Sequence, residues 1–444
     1  MNTRIGLLII SIAIFMVNSS GFAFQFQFTP RVSSSETYTD NVFLTDRNEE
    51  DDYITTVSAG FTAELIGKTG RIEVSYDPAY EFYDDFDELD GWSHDARLFA
   101  RSDLTRRTSL QFVDRFLRTR DPLSDQDIIR DGQVVIEGDT TSRISREEYY
   151  RNTATARLTH QFGVDDLVYT EFLYGLLRND DPQDEDNDRY EPSIGLNYWF
   201  GPKFGVETRG VYTRGEYDQD SDFVGTGSDD FDNLFGSIRL IRRTTRTFSF
   251  FGQYDHIYRD YEGNENDYQV YQPSAGLIYA IERDLIFRFG LGYFYQDIDS
   301  VDNDDGVFIN SEVNKSWNFK RGFIRLIGAA GLDQNNFGAQ NIDLERFGSI
   351  RTVAGYNFTR NFLADISGYY RYSDPINTDD PDDIEEQNRF QFGAGLAFLP
   401  LRWMELKLDY RFNKLDQKGG GDDDYDENRV MFTLTLQPGQ PWKF

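Results

Sequence analysis

The chain has 444 residues, 77 of them acidic and 45 basic, and a formal net charge of −32. It has no cysteine, which excludes disulfides, thiolate nucleophiles and cysteine-ligated metals. The acidic surplus would repel a phosphate backbone, so no nucleic-acid partner is expected, and 38 Phe, 27 Tyr and 5 Trp exclude a disordered chain.

The chain opens with a short cationic segment, Met1 to Arg4, and an apolar run from Ile5 to Val17. Small residues follow at Gly21 and Ala23. This is the pattern of a secretory signal peptide over residues 1–23, and the run is too short for a membrane helix. No later stretch approaches the length of a helical span.

From residue 24 onward the hydrophobic pattern has period two. Phe390, Phe392, Ala394, Leu396 and Phe398 alternate with polar or small residues, as do Met404, Leu406, Leu408, Tyr410 and Phe412. Period two means strands with one apolar and one polar face. The pattern predicts strands over 29–40, 52–65, 70–83, 92–103, 107–120, 148–162, 166–179, 188–200, 203–217 and 230–242. The second half continues with 245–259, 266–280, 284–298, 307–318, 322–335, 344–358, 361–374, 387–399, 402–416 and 427–437. That makes twenty strands, with eighteen as the alternative. Many exceed the usual strand of soluble sheets, and short links such as Thr105-Arg106-Arg107 and Thr359-Arg360 alternate with long acidic ones. Both features predict an all-β protein: a single transmembrane outer-membrane β-barrel over 24–444, with both termini periplasmic. So few residues precede the first strand that no separate N-terminal plug is expected, and a barrel this wide needs either a water channel or a filling. Phe444 and Trp442 are the terminal aromatics such barrels often carry, but Pro438 and Pro441 argue against a simple continuation of the last ladder.

Alternation places Glu73, Asp77, Arg97, Arg101, Arg157, Glu171, Glu207 and Arg209 on the lumen face. Arg239, Arg288, Arg351, Asp365, Glu405, Lys407, Asp409 and Arg411 join them. Such a wall orients ions or polar solutes, or simply pairs its own charges. Asp114 breaks the pattern by sharing a face with Leu110, Phe112 and Phe116, which suggests either a bulge or misassigned faces. Acidic runs in the long loops contain Asp84, Asp85, Asp180, Asp181, Asp382, Asp383, Asp422 and Asp423. Oxygen ligands of this kind suit weakly held Ca²⁺ or Mg²⁺, although none forms an EF-hand loop, and the plain alternative is a solvated surface beside divalent-bridged lipid. Either way the outer mouth is electronegative. The longest loop, 121–147, carries an apolar core at Val134-Val135-Ile136 and could fold into the barrel or lie over its mouth.

Catalytic constellations are thin. The three histidines, His94, His160 and His256, fall on separate strands and cannot readily share a zinc. No phosphate loop or dinucleotide fingerprint is present, and no enzyme is expected.

The segments VSSSETYTDNVFLTDRNEEDDYITTVSAGF, GRIEVSYDPAYEFYDD, LTRRTSLQF and YNFTRNFLA resemble the putative beta-barrel porin type 2 family of Gram-negative outer membranes. The resemblance is strongest between residues 31 and 120 and rests on scaffold features, so it transfers no site residues. It implies an outer-membrane channel passing ions and polar solutes, and association with exopolysaccharide export. The implied partners are outer-membrane lipid and lipopolysaccharide, the barrel assembly machinery and periplasmic polysaccharide-export components. The competing expectation is a non-conducting barrel that scaffolds surface or periplasmic proteins.

Overall fold

The computed structural model describes residues 24–122, 128–130, 133–136, 146–180, 186–218, 230–263, 266–281, 285–299, 303–334, 337, 344–376, 384–419 and 424–444. The expected signal peptide lies outside them. Among the described residues, twenty strands form one antiparallel sheet. In chain order the first ten are β1 Gln25–Thr39, β2 Asp52–Ile66, β3 Gly70–Tyr83, β4 Gly91–Asp103, β5 Thr108–Thr119, β6 Tyr149–Gln161, β7 Leu167–Asn179, β8 Asp186–Trp199, β9 Phe204–Asp218 and β10 Phe231–Arg243. The second ten are β11 Phe248–Tyr261, β12 Tyr268–Ile281, β13 Leu285–Ile298, β14 Asp304–Phe319, β15 Gly322–Gln334, β16 Leu344–Asn357, β17 Phe362–Pro375, β18 Ile384–Leu401, β19 Met404–Gly419 and β20 Tyr425–Leu436. A small hairpin, Ile128–Arg130 with Gln133–Ile136, stands apart inside the longest loop.

Each strand pairs with its chain neighbours, and β1 pairs with both β2 and β20. The sheet therefore closes on itself and no edge is left for another chain to extend. One rim carries short turns, such as 104–107 and 402–403, and the other carries the long loops. Both ends of the closed ladder, Gln25 and Leu436, lie at the short-turn rim.

The tail continues the seam. Trp442–Lys443 pairs with Phe28 and Gln27. Phe444 exchanges backbone hydrogen bonds with Phe26 at 3.0 and 3.3 Å. Phe28 and Val32 are four positions apart on β1, while Leu436 and Trp442 opposite are six apart. This two-residue excess absorbs Pro438 and Pro441, which lack the N–H a regular ladder needs. The expected break in the ladder is thus a bulge, and the aromatic end returns to the sheet with Trp442 packed against Phe28.

Alternation sorts the side chains. Val57, Ile194, Leu234, Leu240, Leu291 and Val307 are exposed on the outer surface, and they form a contiguous apolar belt far larger than a water-soluble surface tolerates. Aromatic residues border it at both rims: Phe204, Trp317, Trp403 and Trp442 at the short turns, and Tyr53, Trp92, Tyr212 and Tyr293 at the long loops. Two girdles around an apolar band on a closed sheet define a membrane-spanning barrel. No helix of the described residues is long and apolar enough to cross a membrane.

β5 settles the problem of Asp114. Its registers to β4 and β6 run without a shift, pairing Asp114 with Leu98 and Ala154. Neither a bulge nor reversed faces is present. Asp114 stands on the apolar outer face, and Val113, Arg115 and Leu117 are buried on the inner one.

Candidate functional site: the charged lumen and its constriction

The sixteen charged residues singled out from the sequence all stand on the face opposite the apolar belt, as their registers with belt residues show. Most are paired along or across the wall. Glu73 receives Arg71 at 2.6 Å, and Arg71 also reaches Glu64 at 3.1 Å. Arg97 pairs with Asp95 at 2.6 Å, and Arg101 with Asp103 at 3.4 Å. Arg157 pairs with Glu171 at 3.6 Å and lies 4.0 Å over the Tyr169 ring. Arg239 pairs with Glu207 at 2.6 Å, Arg288 with Glu312 at 2.5 Å and Lys407 with Asp409 at 2.8 Å. Arg351 lies 4.8 Å over the Tyr369 ring. Arg209 and Arg411 are exposed to the interior, with no acidic partner at ion-pair distance among the described residues. Glu405 shares the inner face of β19 with Lys407 and Asp409.

Small residues on the inner face let these groups lie flat. Asp77 bonds Arg31 across the intervening strand β2, whose residue opposite Arg31 is Gly60. A Cβ at Gly60 would meet Asp77 Oδ1 at 2.0 Å, so the bridge requires glycine there. Asp365 likewise lies over Gly395, where a Cβ would come within 2.7 Å of its carboxylate.

Toward the long loops the wall becomes a buried network that the sequence reading missed. Glu427, fully buried, accepts from Thr39 Oγ1 at 2.8 Å, Asn413 Nδ2 at 3.2 Å and Arg429 Nε at 2.5 Å. Arg429 also reaches Asp121 at 2.9 Å. Arg146, at the return end of the longest loop, is buried against Glu427 at 3.4 Å and donates to the Val42 carbonyl. The 40–51 loop therefore turns inward. Val42 packs with Ile54, Tyr83 and Leu89, and Leu44 packs with Leu415 and Tyr425. Below lies a cavity of about 210 Å³, lined by Glu81, Tyr83, Asp121, Arg146, Arg411 and Arg429 among others.

Phe337 adds inward contacts on the opposite arc. Lying between β15 and β16, it stacks on Tyr217 and packs at a tilt against Phe231, and Arg189 lies 4.7 Å from its ring. Gln334 bonds Asn233 and Tyr268 on strands well removed around the barrel. Beneath these, Val270, Phe294, Phe308 and Leu344 form an apolar cluster on the inner wall. Arg371, buried, is paired with Glu345 and reaches Asp333 at 3.6 Å.

At the long-loop rim, Asp84 and Asp85 donate their backbone N–H groups to Asp52 Oδ1 at 3.2 and 3.1 Å, and Asp180 donates its own to the Glu148 carbonyl at 2.8 Å. Asp181, Asp382, Asp383, Asp422 and Asp423 lie outside the described residues. Among the described residues no group of three or more His, Asp or Glu could hold a metal. Glu262 is held below the ordinary carboxylate range by the Arg214 guanidinium, 2.6 Å away. The three histidines stand on the outer face of three separate strands, their ring nitrogens near Tyr76, Thr108 and Tyr254 hydroxyls.

A closed antiparallel barrel with an apolar belt and a charged interior is a membrane-spanning β-barrel of the outer-membrane type. In sequence the chain matches the family Putative beta-barrel porin 2 over residues 23–229, the family its motifs resemble. No curated protein matches it. Similar solved structures include a BenF-like porin from Pseudomonas fluorescens Pf-5, at 10% identity over 93% of this chain and 98% of that one, with TM-score 0.37. Others are OccAB4 of Acinetobacter baumannii, at 14% identity over 93% and 98%, TM-score 0.39, and the ferric-catecholate import receptor Fiu of E. coli K12, at 10% identity over 92% and 81%, TM-score 0.48.

Proposed function

We propose that this barrel is a passive outer-membrane channel for ions and small polar solutes, oriented with its short-turn rim and both termini in the periplasm. The observation that carries the reading is the inner wall, where paired charges leave the guanidinium groups of Arg209 and Arg411 exposed to the interior. Paired charges keep a wet wall neutral on average, and the free cations give a permeating solute something to bind and leave. The finer reading is an exit conduit for a glycan of an exopolysaccharide export system. Its support is the family resemblance. Divalent ions at the acidic loops belong to the same reading and would set the field at the outer mouth.

Single-channel conductance of the refolded protein in a planar bilayer, repeated in a salt gradient, tests the channel. Steady conducting steps, altered by a chelator, support both the pore and the divalent ions. The inward-folded 40–51 loop and Phe337 favour a second reading, a non-conducting scaffold. Silence from a folded, membrane-inserted barrel that retains a co-purifying partner would establish that one instead.

A further inference from the structure

Asp114 stands at mid-height on the outer surface. It pairs with Leu98 and Ala154, each near the middle of its strand. Other outward charges lie at the rims, as where Lys315 faces Leu285, the first residue of β13, and Lys414 faces Asp426 beside the long loops. Glu36, outward on β1 opposite Phe432, accepts from Thr55 Oγ1 at 2.7 Å. Asn152, one step along β6, donates Nδ2 to Asp114 Oδ1 at 2.9 Å and to the Arg115 carbonyl at 3.0 Å. The second carboxyl oxygen of Asp114 and the amide oxygen of Asn152 have no partner among the described residues.

On β6 the outward surface beside this pair is shallow, with Ala154 opposite Asp114 and Ala156 next to it. Leu98 stands opposite Asp114 on β4 between Ala96 and Ala100, Phe112 and Phe116 flank it on β5, and Phe172 faces Ala156 from β7. Small residues allow another backbone to approach closely, and a polar pair in hydrocarbon is compensated when that neighbour brings matching groups. A carboxyl facing lipid alone is destabilising.

We propose that the outward face of β4, β5 and β6 is the contact surface of a homodimer, with Asp114 and Asn152 at its centre. The match is internal to the pair. Across a twofold axis, Asp114 in its acid form donates to the Asn152 amide oxygen of the second copy, and the symmetric bond repeats it, so each copy supplies what the other lacks. The alanines bring the two sheets into contact, and the belt on either side stays with lipid. This inference is independent of whether the pore conducts.

The test is the mass of the full-length barrel in mild detergent by light scattering, paired with disulfide or short bismaleimide cross-linking of Ala154→Cys in outer membranes. A dimeric wild type, a self-cross-link, and at least a tenfold weaker dimer for Asp114→Leu are expected. Asp114→Leu suits lipid and should remain folded, which heat-modifiable migration on a gel verifies. Asp114→Asn keeps a donor and should retain the dimer. A monomeric wild type in both settings overturns the proposal. So does a dimer unchanged in Asp114→Leu, or an Ala154→Cys adduct with a different protein.

Discussion

Replacing Glu427 with glutamine removes the central anion of the constriction while preserving its shape. Its carboxylate holds Arg429 and Arg146 and also accepts from Thr39 and Asn413. An uncompensated buried ion pair costs about 3–5 kcal/mol, and here Asp121 still contacts both arginines, so the lower end, about 3 kcal/mol, applies. The rest of the barrel is tied by continuous ladders that do not pass through this group, and the cost therefore falls on the elements the network anchors. Those are the Arg146 end of the longest loop and the 40–51 loop, through the Val42 carbonyl. At 1.4 kcal/mol per decade, the ratio of anchored to released loop should fall about a hundredfold. Planar-bilayer recordings should show larger or flickering conductance steps for Glu427→Gln than for wild type, with unchanged heat-modifiable folding. Identical conductance and identical noise in a folded variant would refute the idea that this network sets the aperture.

Arg209→Glu with Arg411→Glu replaces two lumen cations without breaking any ion pair formed among the described residues. Reversal potentials in a salt gradient should move toward cation preference, and an unmoved value would place the current elsewhere. Gly60→Leu should displace Asp77 and separate it from Arg31. Because that pair faces the interior rather than a sealed core, the lost pair should cost no more than about 1 kcal/mol, but the new Cβ also meets the Tyr76 carbonyl oxygen at 2.7 Å, so a further loss from displaced β2–β3 backbone is expected alongside the effect on lumen noise. Deleting residues 442–444 removes the tail pairing to Phe26, Gln27 and Phe28, so urea unfolding should begin earlier and the folded yield should fall. An unchanged midpoint would show that the tail adds nothing to closure.

The strands were legible because a sheet with lipid on one side and water on the other writes its pleat into the sequence. Even the β14–β15 pair, with its interspersed glycines, follows the alternation. The start of β1 was less clear: the strand begins at Gln25 and not at 29, and the Gln25–Phe28 alternation lies on the far side of Pro30 from the rest of it. That segment is held in place by residues at the far end of the chain. The constriction was not legible for the same reason. Val42, Arg146 and Phe337 sit in loops with no period, and their positions are fixed by Glu427, Tyr217 and Phe231, which lie far away in sequence. Asp114 was legible as an anomaly, but only the uninterrupted registers on both sides of β5 show that its outward placement is real.

The seam between β1 and β20 carries a final consequence. Its regular register runs from Val32–Leu436 to Thr39–Arg429, eight pairs, whereas β1 and β2 share fifteen. It joins segments some four hundred residues apart, so its loop-closure entropy is the largest in the barrel, and non-local contacts of this kind form late. Closure of the wall should be the last step of folding, and loss of the seam the first step of unfolding. The bulged tail then acts as a clasp: Phe444 on Phe26 and Trp442 on Phe28 lengthen the weakest ladder at the rim where it would otherwise part.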